Sequence, residues 1–428
     1  MYTKQVCPLR TRSIEKGPVP HFMKMEHFRR YQVNKKTAIQ ISKEHPWVYS
    51  KNLSTAAEVF QDGDFLRLHN GENKVIGYGV YSKEDQISIR LFHFGDQLRN
   101  RFFLKRLRKI FEVKKDLLVE TNAFRLLNGE SDGFPGVTVD LYNGTAVILV
   151  YSSSVYKLAR LVSFLLPHSI PAELCNNIII RSAQRIGFTG AQIKPLRVCR
   201  GELPTEVSIG ENGFQFEVDL EQGQKGGFFL DLRGARRFLS QIDFTGKRVL
   251  NLFSYTGSFS MIALRNGASQ VISVDQSRQA QEMHARNLEI NGLDASKDRL
   301  ICSDVFRYLA NLAPEEKFDF IILDPPNMVA RVSQLQPALK KVEKMHYLAL
   351  QHLQEKSLWM SLCCTSRISR EDFVKAVGKA SKALHGKGQT KIIQEIPEEL
   401  DHRSKKSFPQ GRYLTQLVYA NSSEVELS

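Results

Sequence analysis

The hydrophobic positions of the chain follow different periods in its two halves. Between residues 37 and 96, apolar and polar residues alternate in the runs "AIQIS", "DFLRLHN", "VIGYGVYS" and "ISIRLFHF", which Gly and Asp separate. Alternation with a period of two is typical of half-buried strands. The pattern predicts a small β-barrel, followed by a basic helix within residues 97 to 118.

From about residue 206, apolar runs alternate with longer helical patterns. The predicted strands are 248–253, 270–274, 299–302, 318–323, 357–363, 389–394 and 413–419. This βαβ rhythm predicts a mostly parallel sheet with helices on both faces. The intervening residues mix strand-like runs such as "VTVDLY" and "NIIIRS" with one helical stretch near 154 to 166, which predicts a small α+β domain.

Length and charge extend this picture. A chain of 428 residues is expected to form two or three domains. We expect a basic arm at 1–35, the barrel with its basic helix at 36–112, an α+β domain at 113–205 and the α/β domain at 206–428. The net charge of +15 favours a polyanionic partner such as nucleic acid, although a solvated basic surface without a partner stays open.

Several classes of protein are not expected. The apolar runs are shorter than a membrane span, and the first residues have no apolar core like that of a secretory signal. The six cysteines form no CxxC pair, which argues against a structural zinc site and for a reducing cytoplasm. We therefore expect no metal and no membrane partner.

One βαβ unit, "RVLNLFSYTGSFSMIALRNGASQVISVDQS" at 248–277, predicts an adenosine ligand. The turn after its first strand places Ser254, Thr256 and the backbone near a ligand, and Gly257 allows close approach. Asp275 ends the second strand, where an acid can accept hydrogen bonds from ribose hydroxyls. The GxGxxG that a dinucleotide requires is absent, so the phosphate-free S-adenosylmethionine fits better than a nicotinamide cofactor.

Two more strands end in acids. In "LICSDVF", Asp304 follows the third strand and could meet the adenine amine, although a helix N-cap is an equally good interpretation. In "FDFIILDPPN", Asp324 is followed by Pro325 and Pro326. The two prolines stiffen a loop whose carboxylate and carbonyls are expected to face the reacting group.

These motifs together resemble a known family. The stretches "HPWVYS" (45–50), "LLNGESDGFPGVTVDLY" (126–142), "GGFFLDLRGARR" (226–237), "VLNLFSYTGSFS" (249–260), "DPP" (324–326) and "FPQGRYL" (408–414) are similar to bacterial 23S rRNA methyltransferases that carry a PUA domain. The cytosine-5 type of that family is the most similar. The resemblance implies a PUA-like RNA-binding barrel, a small α+β domain and a Rossmann-like class I methyltransferase domain.

The resemblance also implies roles for residues. Phe229, Asp231 and Arg233 would lie near the methionine end of S-adenosylmethionine, together with the turn that contains Tyr255. Cys364 matches the nucleophile of the family's "SCS" element, and Asp324 would bind the amino edge of cytosine. Cys363, within the strand, is expected to be a buried small hydrophobe.

The same resemblance leaves alternatives open. Asn327 and Met328 stand where the family commonly has a lysine and an aromatic residue, which puts the identity of the base in doubt. A guanine N7 or N2 methyltransferase needs no covalent step, and an RNA-binding protein without catalysis is a third interpretation. The expected partner is 23S rRNA or the large-subunit particle in the cytoplasm, and the family permits a homodimer.

Overall fold

The fold was analysed in a computed structural model, which describes residues 28–53, 59–83, 85–183, 196–221, 223, 227–329, 332–385 and 390–422. The chain forms two compact units. The first comprises residues 1–115, 132–139 and 144–203, and the second comprises 116–131, 140–143 and 204–428. Most of the predicted basic arm, residues 1–27, lies outside the described residues. The residues predicted as an α+β domain fall in both units, and the domain bounds given above stay a prediction.

The first unit begins with the expected small sheet. Its elements are β1 (Arg29–Gln32), α1 (Lys35–Ser42), β2 (Trp47–Tyr49), β3 (Phe65–His69), β4 (Val75–Tyr81), β5 (Ile87–Phe94) and α2 (Phe102–Lys114). The strand order is β1-β3-β4-β5-β2, and β1 runs parallel to β3. Three of the four runs predicted as strands form β3, β4 and β5, and the predicted basic helix forms α2.

The prediction for "AIQIS" is wrong, because this run lies in helix α1. The side chain of Asn34 accepts a hydrogen bond from the backbone N–H of Thr37 at 2.9 Å and caps the helix. Thr37 and Ile41 are buried four residues apart, which is helical spacing on one face. The end of the predicted arm also differs, since Arg29–Gln32 pairs with β3 along its whole length.

A second group of strands follows along the chain, with one short and one longer helix between them. The elements are β6 (Ala123–Asn128), α3 (Gly129–Asp132), β7 (Val137–Tyr142), β8 (Thr145–Val150), α4 (Tyr156–Leu165), β9 (Asn177–Ser182) and β10 (Leu196–Arg200). Within the first unit, β8 runs parallel to β9, and β10 runs antiparallel to β9. The crossover between the two parallel strands contains α4, as the helical pattern near 154 to 166 predicts.

The second unit contains a hairpin and the predicted α/β sheet. Its further elements are β11 (Val207–Glu211), β12 (Phe214–Val218), α5 (Arg233–Leu239), β13 (Arg248–Leu252), α6 (Ser258–Arg265), β14 (Gln270–Asp275), α7 (Arg278–Ile290), β15 (Asp298–Cys302), α8 (Val305–Ala310), β16 (Phe318–Leu323), α9 (Leu335–Leu350), β17 (Leu353–Cys364), α10 (Arg370–His385), β18 (Lys391–Glu395) and β19 (Leu414–Ala420). All seven strands predicted from the apolar runs are confirmed within a few residues.

The order of strands in this sheet is β15-β14-β13-β16-β17-β19-β18. The first five are parallel, whereas β19 is antiparallel to both of its neighbours. The order reverses at β13, which lies between β14 and β16, and α/β sheets bind ligands at such a reversal, outside the carboxyl ends of the strands. The hydrophobic core continues from these strands into α8, α9 and α10.

Among the described residues, none of the helices combines the length and the apolar character that a membrane span requires.

Candidate functional site

The turn after β13 has an unusual backbone. Phe253, Tyr255 and Gly257 all have positive φ angles, of 62°, 48° and 84°. Non-glycine residues in this region cost about 1–3 kcal/mol each and persist only where the surrounding structure holds them. Here the N–H of Ser254 donates to the carbonyl of Val274 at 3.0 Å, which ties the turn to β14.

The carboxylate of Asp275 holds the same turn from the end of β14. Its Oδ2 accepts a hydrogen bond from the backbone N–H of Tyr255 at 2.9 Å, and its Oδ1 accepts one from Ser277 at 2.8 Å. Each carboxylate oxygen can accept more than one hydrogen bond. Asp275 therefore fixes the turn and keeps acceptor capacity for ligand hydroxyls.

Gly257 lies against a buried histidine. A Cβ atom at this position would overlap the His284 ring, and the φ angle of +84° disfavours any side chain. The ring is fully buried, and its Nε2 lies 3.0 Å from Oδ2 of Asp298. The glycine is therefore required both by the backbone conformation and by the close approach of this ring.

We expect Gly257→Ala to destabilise the fold by about 2–5 kcal/mol, the combined cost of overpacking and a left-handed alanine. Because the turn moves, affinity for S-adenosylmethionine should fall at least about tenfold. Gly246→Ala is the matched control, since φ there is +73° and no atom lies within 4 Å of the added Cβ. Urea unfolding and titration calorimetry measure both effects, and equal losses in the two variants would contradict the packing argument.

A small cleft lies beside the turn. The rings of Phe229 and Tyr255 meet edge to face with centroids 5.0 Å apart. The lining residues are Phe228, Phe229, Leu232, Arg236, Phe253, Ser254, Tyr255, Thr256, Ser258, Phe259 and Asp324. The structure therefore brings together five of the residues predicted from the sequence: Phe229, Ser254, Tyr255, Thr256 and Asp324.

Two hydroxyl-bearing residues of the turn are buried. Ser254 is 6% exposed, and its Oγ has no hydrogen-bond partner among the described residues. A buried hydroxyl without a partner costs free energy unless a ligand or water satisfies it. Thr256 is also buried, and its carbonyl accepts from the side-chain amide of Asn287 at 3.2 Å. The Ser254 hydroxyl fits a polar ligand in the cleft.

The structure places Arg233 away from the cleft, and its role in cofactor binding stays a prediction. Its side chain is fully buried and does not line the cleft. The guanidinium donates to Asp401 at 3.1 Å and Glu211 at 3.3 Å, and it also donates to the carbonyl of Ala123. An arginine so enclosed by carboxylates holds elements of the second unit together. The arginine that does line the cleft is Arg236, one helical turn later.

Asp231 is buried and outside the set of residues that line the cleft. Its Oδ2 accepts a hydrogen bond from the hydroxyl of Tyr413 at 2.6 Å. Burial, and then the negative charge of Asp231, raises the pKa of Tyr413 well above its usual range. Tyr413 belongs to the motif "FPQGRYL", which is the signal in the sequence that could have identified it.

Asp304 caps helix α8. It is exposed, and its Oδ1 accepts a hydrogen bond from the backbone N–H of Arg307 at 2.9 Å. Of the two interpretations left open for this acid, the helix N-cap is observed. A contact with adenine through the other carboxylate oxygen stays a prediction.

The thiol of Cys364 faces the carboxylate of Asp324. Asp324 directly follows β16, and Cys364 is the last residue of the neighbouring parallel strand β17. The Sγ of Cys364 donates to Oδ1 of Asp324 at 3.6 Å. Pro325 is buried directly after the acid. The resemblance assigned both residues to the target base, and the structure places them together because the carboxyl ends of parallel strands share one edge of a sheet.

Cys363 and Cys364 have different surroundings because side chains alternate along a strand. Cys363 is 5% exposed, and burial raises the pKa of its thiol to about 12. Cys364 is half-buried and lies at the end of the strand. The expectation that Cys363 is a buried small residue is confirmed.

Asn327, in the loop after the prolines, orders that loop. Its side-chain oxygen accepts a hydrogen bond from the backbone N–H of Val329 at 2.8 Å.

Comparisons with known proteins agree with this arrangement. A family model described as S-adenosylmethionine-dependent methyltransferase matches residues 194–345, and a model of a PUA-like domain matches residues 32–94. The ribosomal RNA large subunit methyltransferase I of Serratia proteamaculans is 33% identical over 86% of this chain and 93% of its own length. The same enzyme of Aeromonas salmonicida is 34% identical over 87% of this chain and 94% of its own length. The chain belongs to this family.

Solved structures show the same fold. A protein from Streptococcus mutans assigned to the S-adenosylmethionine-dependent methyltransferases superposes with a TM-score of 0.77, at 24% identity over 91% of this chain and 99% of its own. A methyltransferase-like chain in complex with SAH gives a TM-score of 0.78 with the same identity and coverage. The predicted PUA-like domain, Rossmann-like methyltransferase domain and cofactor, S-adenosylmethionine, are confirmed for this member of the methyltransferase I family.

Proposed function

We propose that the chain methylates carbon 5 of a cytosine in ribosomal RNA of the large subunit, through a covalent adduct with Cys364. The main support for this proposal is the contact between Cys364 and Asp324, whose Sγ and Oδ1 atoms lie 3.6 Å apart. Asp324 itself lines the cleft beside the turn after β13. The names of the family relatives support ribosomal RNA as the substrate class.

A cysteine is required because carbon 5 of cytosine is a poor nucleophile. The thiol of Cys364 passes its proton to Asp324, and the thiolate adds to carbon 6 as Asp324 delivers that proton to ring nitrogen 3. Asp324 then accepts a hydrogen bond from the amino edge and stabilises the protonated base. Carbon 5 then has enamine character and takes the methyl group. Loss of the carbon 5 proton to water, departure of the thiolate and return of the nitrogen 3 proton through Asp324 to Cys364 restore the aromatic ring.

The residues of the cleft fit S-adenosylmethionine, which supplies the methyl group when bound. The unsatisfied hydroxyl of Ser254 and the aromatic pair of Phe229 and Tyr255 suit a polar molecule with an adenosine moiety. Asp275 offers acceptors for ribose hydroxyls. We infer that Thr256, Gly257 and Pro325 shape the path of the backbone around this ligand.

We expect Asp275→Ala to weaken binding of S-adenosylmethionine by about 10- to 150-fold, the value of one hydrogen bond to a charged group. The affinity for RNA should change less than about twofold. Asp275→Asn is the control, because the amide oxygen can still accept one of the two backbone hydrogen bonds. Calorimetry with the cofactor and filter binding with RNA separate the effects, and equal weakening of both would count against the assignment.

The target base is identified by mass spectrometry of large-subunit RNA from cells with and without the gene. Loss of 5-methylcytidine supports the proposal, and loss of a methylated guanine identifies the alternative without a covalent step. Comparing free 23S RNA with the large-subunit particle in vitro defines the substrate. We place the reaction in the cytoplasm, where ribosomal RNA is available, and light scattering tests the homodimer that the family permits.

A further inference from the structure

The first unit contains a second cleft, which the proposed reaction does not use. It has a volume of about 570 Å³ and lies between the end of β5 and the beginning of α2. His93, Phe94 and Phe102 contribute rings to its lining, and Arg99, Lys105 and Lys109 contribute cationic side chains. Aromatic rings interleaved with basic residues are typical of surfaces that bind single-stranded nucleic acid.

The beginning of α2 carries positively charged side chains, which do not stabilise a helix N-terminus. The first turn contains no acidic residue, and no side chain caps it. Arg101 stands at the N-cap position, and Arg99 and Lys105 lie on either side of it. The N-terminus of a helix carries a partial positive charge, so cations there are unfavourable unless an anion is bound.

The cationic side chains of the cleft are available to such an anion. Arg99, Lys105 and Lys109 are exposed, and within the described ranges none of them forms an ion pair. Lys105 and Lys109 are one helical turn apart, a spacing at which like charges repel. A polyanion with regularly spaced phosphates would relieve this repulsion.

The wall of the cleft is fixed by a different arginine. Arg106 donates to the carbonyls of Phe92 and Gly133, and its guanidinium lies 4.1 Å from the centroid of the Phe102 ring. Phe102 also contacts the His93 ring, with centroids 4.8 Å apart. Phe94, in the same lining, packs partly buried against the core of the small sheet. Because these rings are held in place, only a small entropy cost accompanies stacking of a base on them.

We propose that this cleft binds a single-stranded segment of the RNA substrate, with phosphates on Arg99, Lys105 and Lys109 and a base against Phe94. The inference rests on the proposed function, since it concerns the same RNA. It adds a binding surface on the helix that follows the PUA-like sheet. The lining has one carboxylate, Asp96, against the four cations Arg99, Lys105, Arg106 and Lys109, so its net charge is positive. This charge and the adjacent rings identify the occupant.

The test compares two triple variants of the full chain with equal net charge. Arg99→Gln, Lys105→Gln and Lys109→Gln together remove the cations of the cleft, whereas Lys375→Gln, Lys379→Gln and Lys382→Gln remove three exposed cations of α10. The probes are a single-stranded ribosomal RNA fragment and inorganic polyphosphate, measured at several salt concentrations. A third variant, Phe94→Leu, keeps an apolar side chain but removes the ring.

We expect the cleft variant to lose about 30-fold in RNA affinity at about 0.1 M salt. The slope of log affinity against log salt concentration should become shallower by about two, because each phosphate contact on a single strand contributes about 0.7 to it. The α10 variant should lose less than about threefold. Phe94→Leu should weaken RNA binding at least about fivefold, through the lost stacking, and leave polyphosphate binding unchanged.

Equal losses in the two triple variants would overturn the proposal, because net charge alone would then account for binding. No effect of Phe94→Leu on RNA would also overturn it and leave a site for phosphate only. If the wild-type chain binds no RNA, the proposed function fails; if it binds and the cleft variant binds equally well, only this inference fails.

Discussion

Cys364→Ala should reduce methyl transfer to RNA by at least about 10³-fold while leaving affinity for S-adenosylmethionine within about twofold. Removing a covalent nucleophile eliminates the pathway through the adduct, and such losses are among the largest that single substitutions cause. The thiol faces Asp324 rather than the turn after β13, so the cofactor site should keep its contacts. Single-turnover transfer of a labelled methyl group and cofactor calorimetry measure the two quantities.

Cys363→Ala is the matched control, since it removes the neighbouring thiol from the opposite side of the same strand. It should keep transfer within about threefold and cost about 1 kcal/mol of stability for the small lost packing volume. RNA with 5-fluorocytosine at the target should trap the adduct with the wild-type chain, because fluorine cannot leave as a proton. Full activity of Cys364→Ala would exclude cytosine-5 chemistry.

Arg233→Met should destabilise the second unit by about 3–5 kcal/mol without a specific loss of cofactor affinity. Removing one partner of a buried ion pair leaves uncompensated charge, here the carboxylates of Glu211 and Asp401. Urea unfolding measures the loss, and calorimetry at low temperature measures cofactor binding by the folded protein. A cofactor role for Arg233 would give the reverse result, with stability kept and affinity lost.

Arg237→Met is the control for this substitution. Arg237 lies on the same helix and pairs with Glu120 and Glu399, but its side chain is 39% exposed. The Arg237 guanidinium is partly in solvent, where ion pairs contribute little, and Glu399 keeps Arg233 at 3.7 Å, so the expected cost is about 1 kcal/mol. The loss of stability in Arg233→Lys should lie between those of Arg233→Met and Arg237→Met, because lysine keeps the charge and loses the planar arrangement of donors.

The same network predicts how stability depends on pH. Burial alone would raise the pKa of Asp401, but His402 and Arg233 lower it below its ordinary value, and Arg236 and Arg233 do the same for the buried Glu211. A lowered pKa in the folded state stabilises the protein above the unfolded value, so this stabilisation is complete above about pH 5 and is lost as the pH falls. The free energy of unfolding of Arg233→Met should therefore decrease less between about pH 5 and acidic pH than that of the wild type.

Much of the reaction site could be predicted because strand ends are visible in the sequence. Asp275 and Asp324 each stand at the end of an apolar run, and parallel strands bring such ends to one edge of a sheet. Helix α1 could not be assigned in this way. The run "AIQIS" is too short to distinguish the strand period from the helical one, and the cap at Asn34 decided its conformation.

Arg233 and Tyr413 show where local sequence carries too little information. Arg233 was assigned by likeness to a motif, yet its partner Asp401 is 168 residues away. Tyr413 reaches Asp231 over 182 residues, from a segment that leads into the antiparallel strand β19. Such contacts depend on which strands become neighbours and on the packing between them.

The sequence by itself determined the order of strands and helices in the second unit, the absence of a phosphate-binding turn and the acids that end the strands. These features are local, because they follow from periodicity and from residues next to an apolar run. Only the tertiary structure decided that Cys364 rather than Cys363 faces Asp324, that Arg233 is enclosed by carboxylates and that basic and aromatic residues line a cleft at α2. Those arrangements depend on side-chain direction and burial, which packing between distant segments sets.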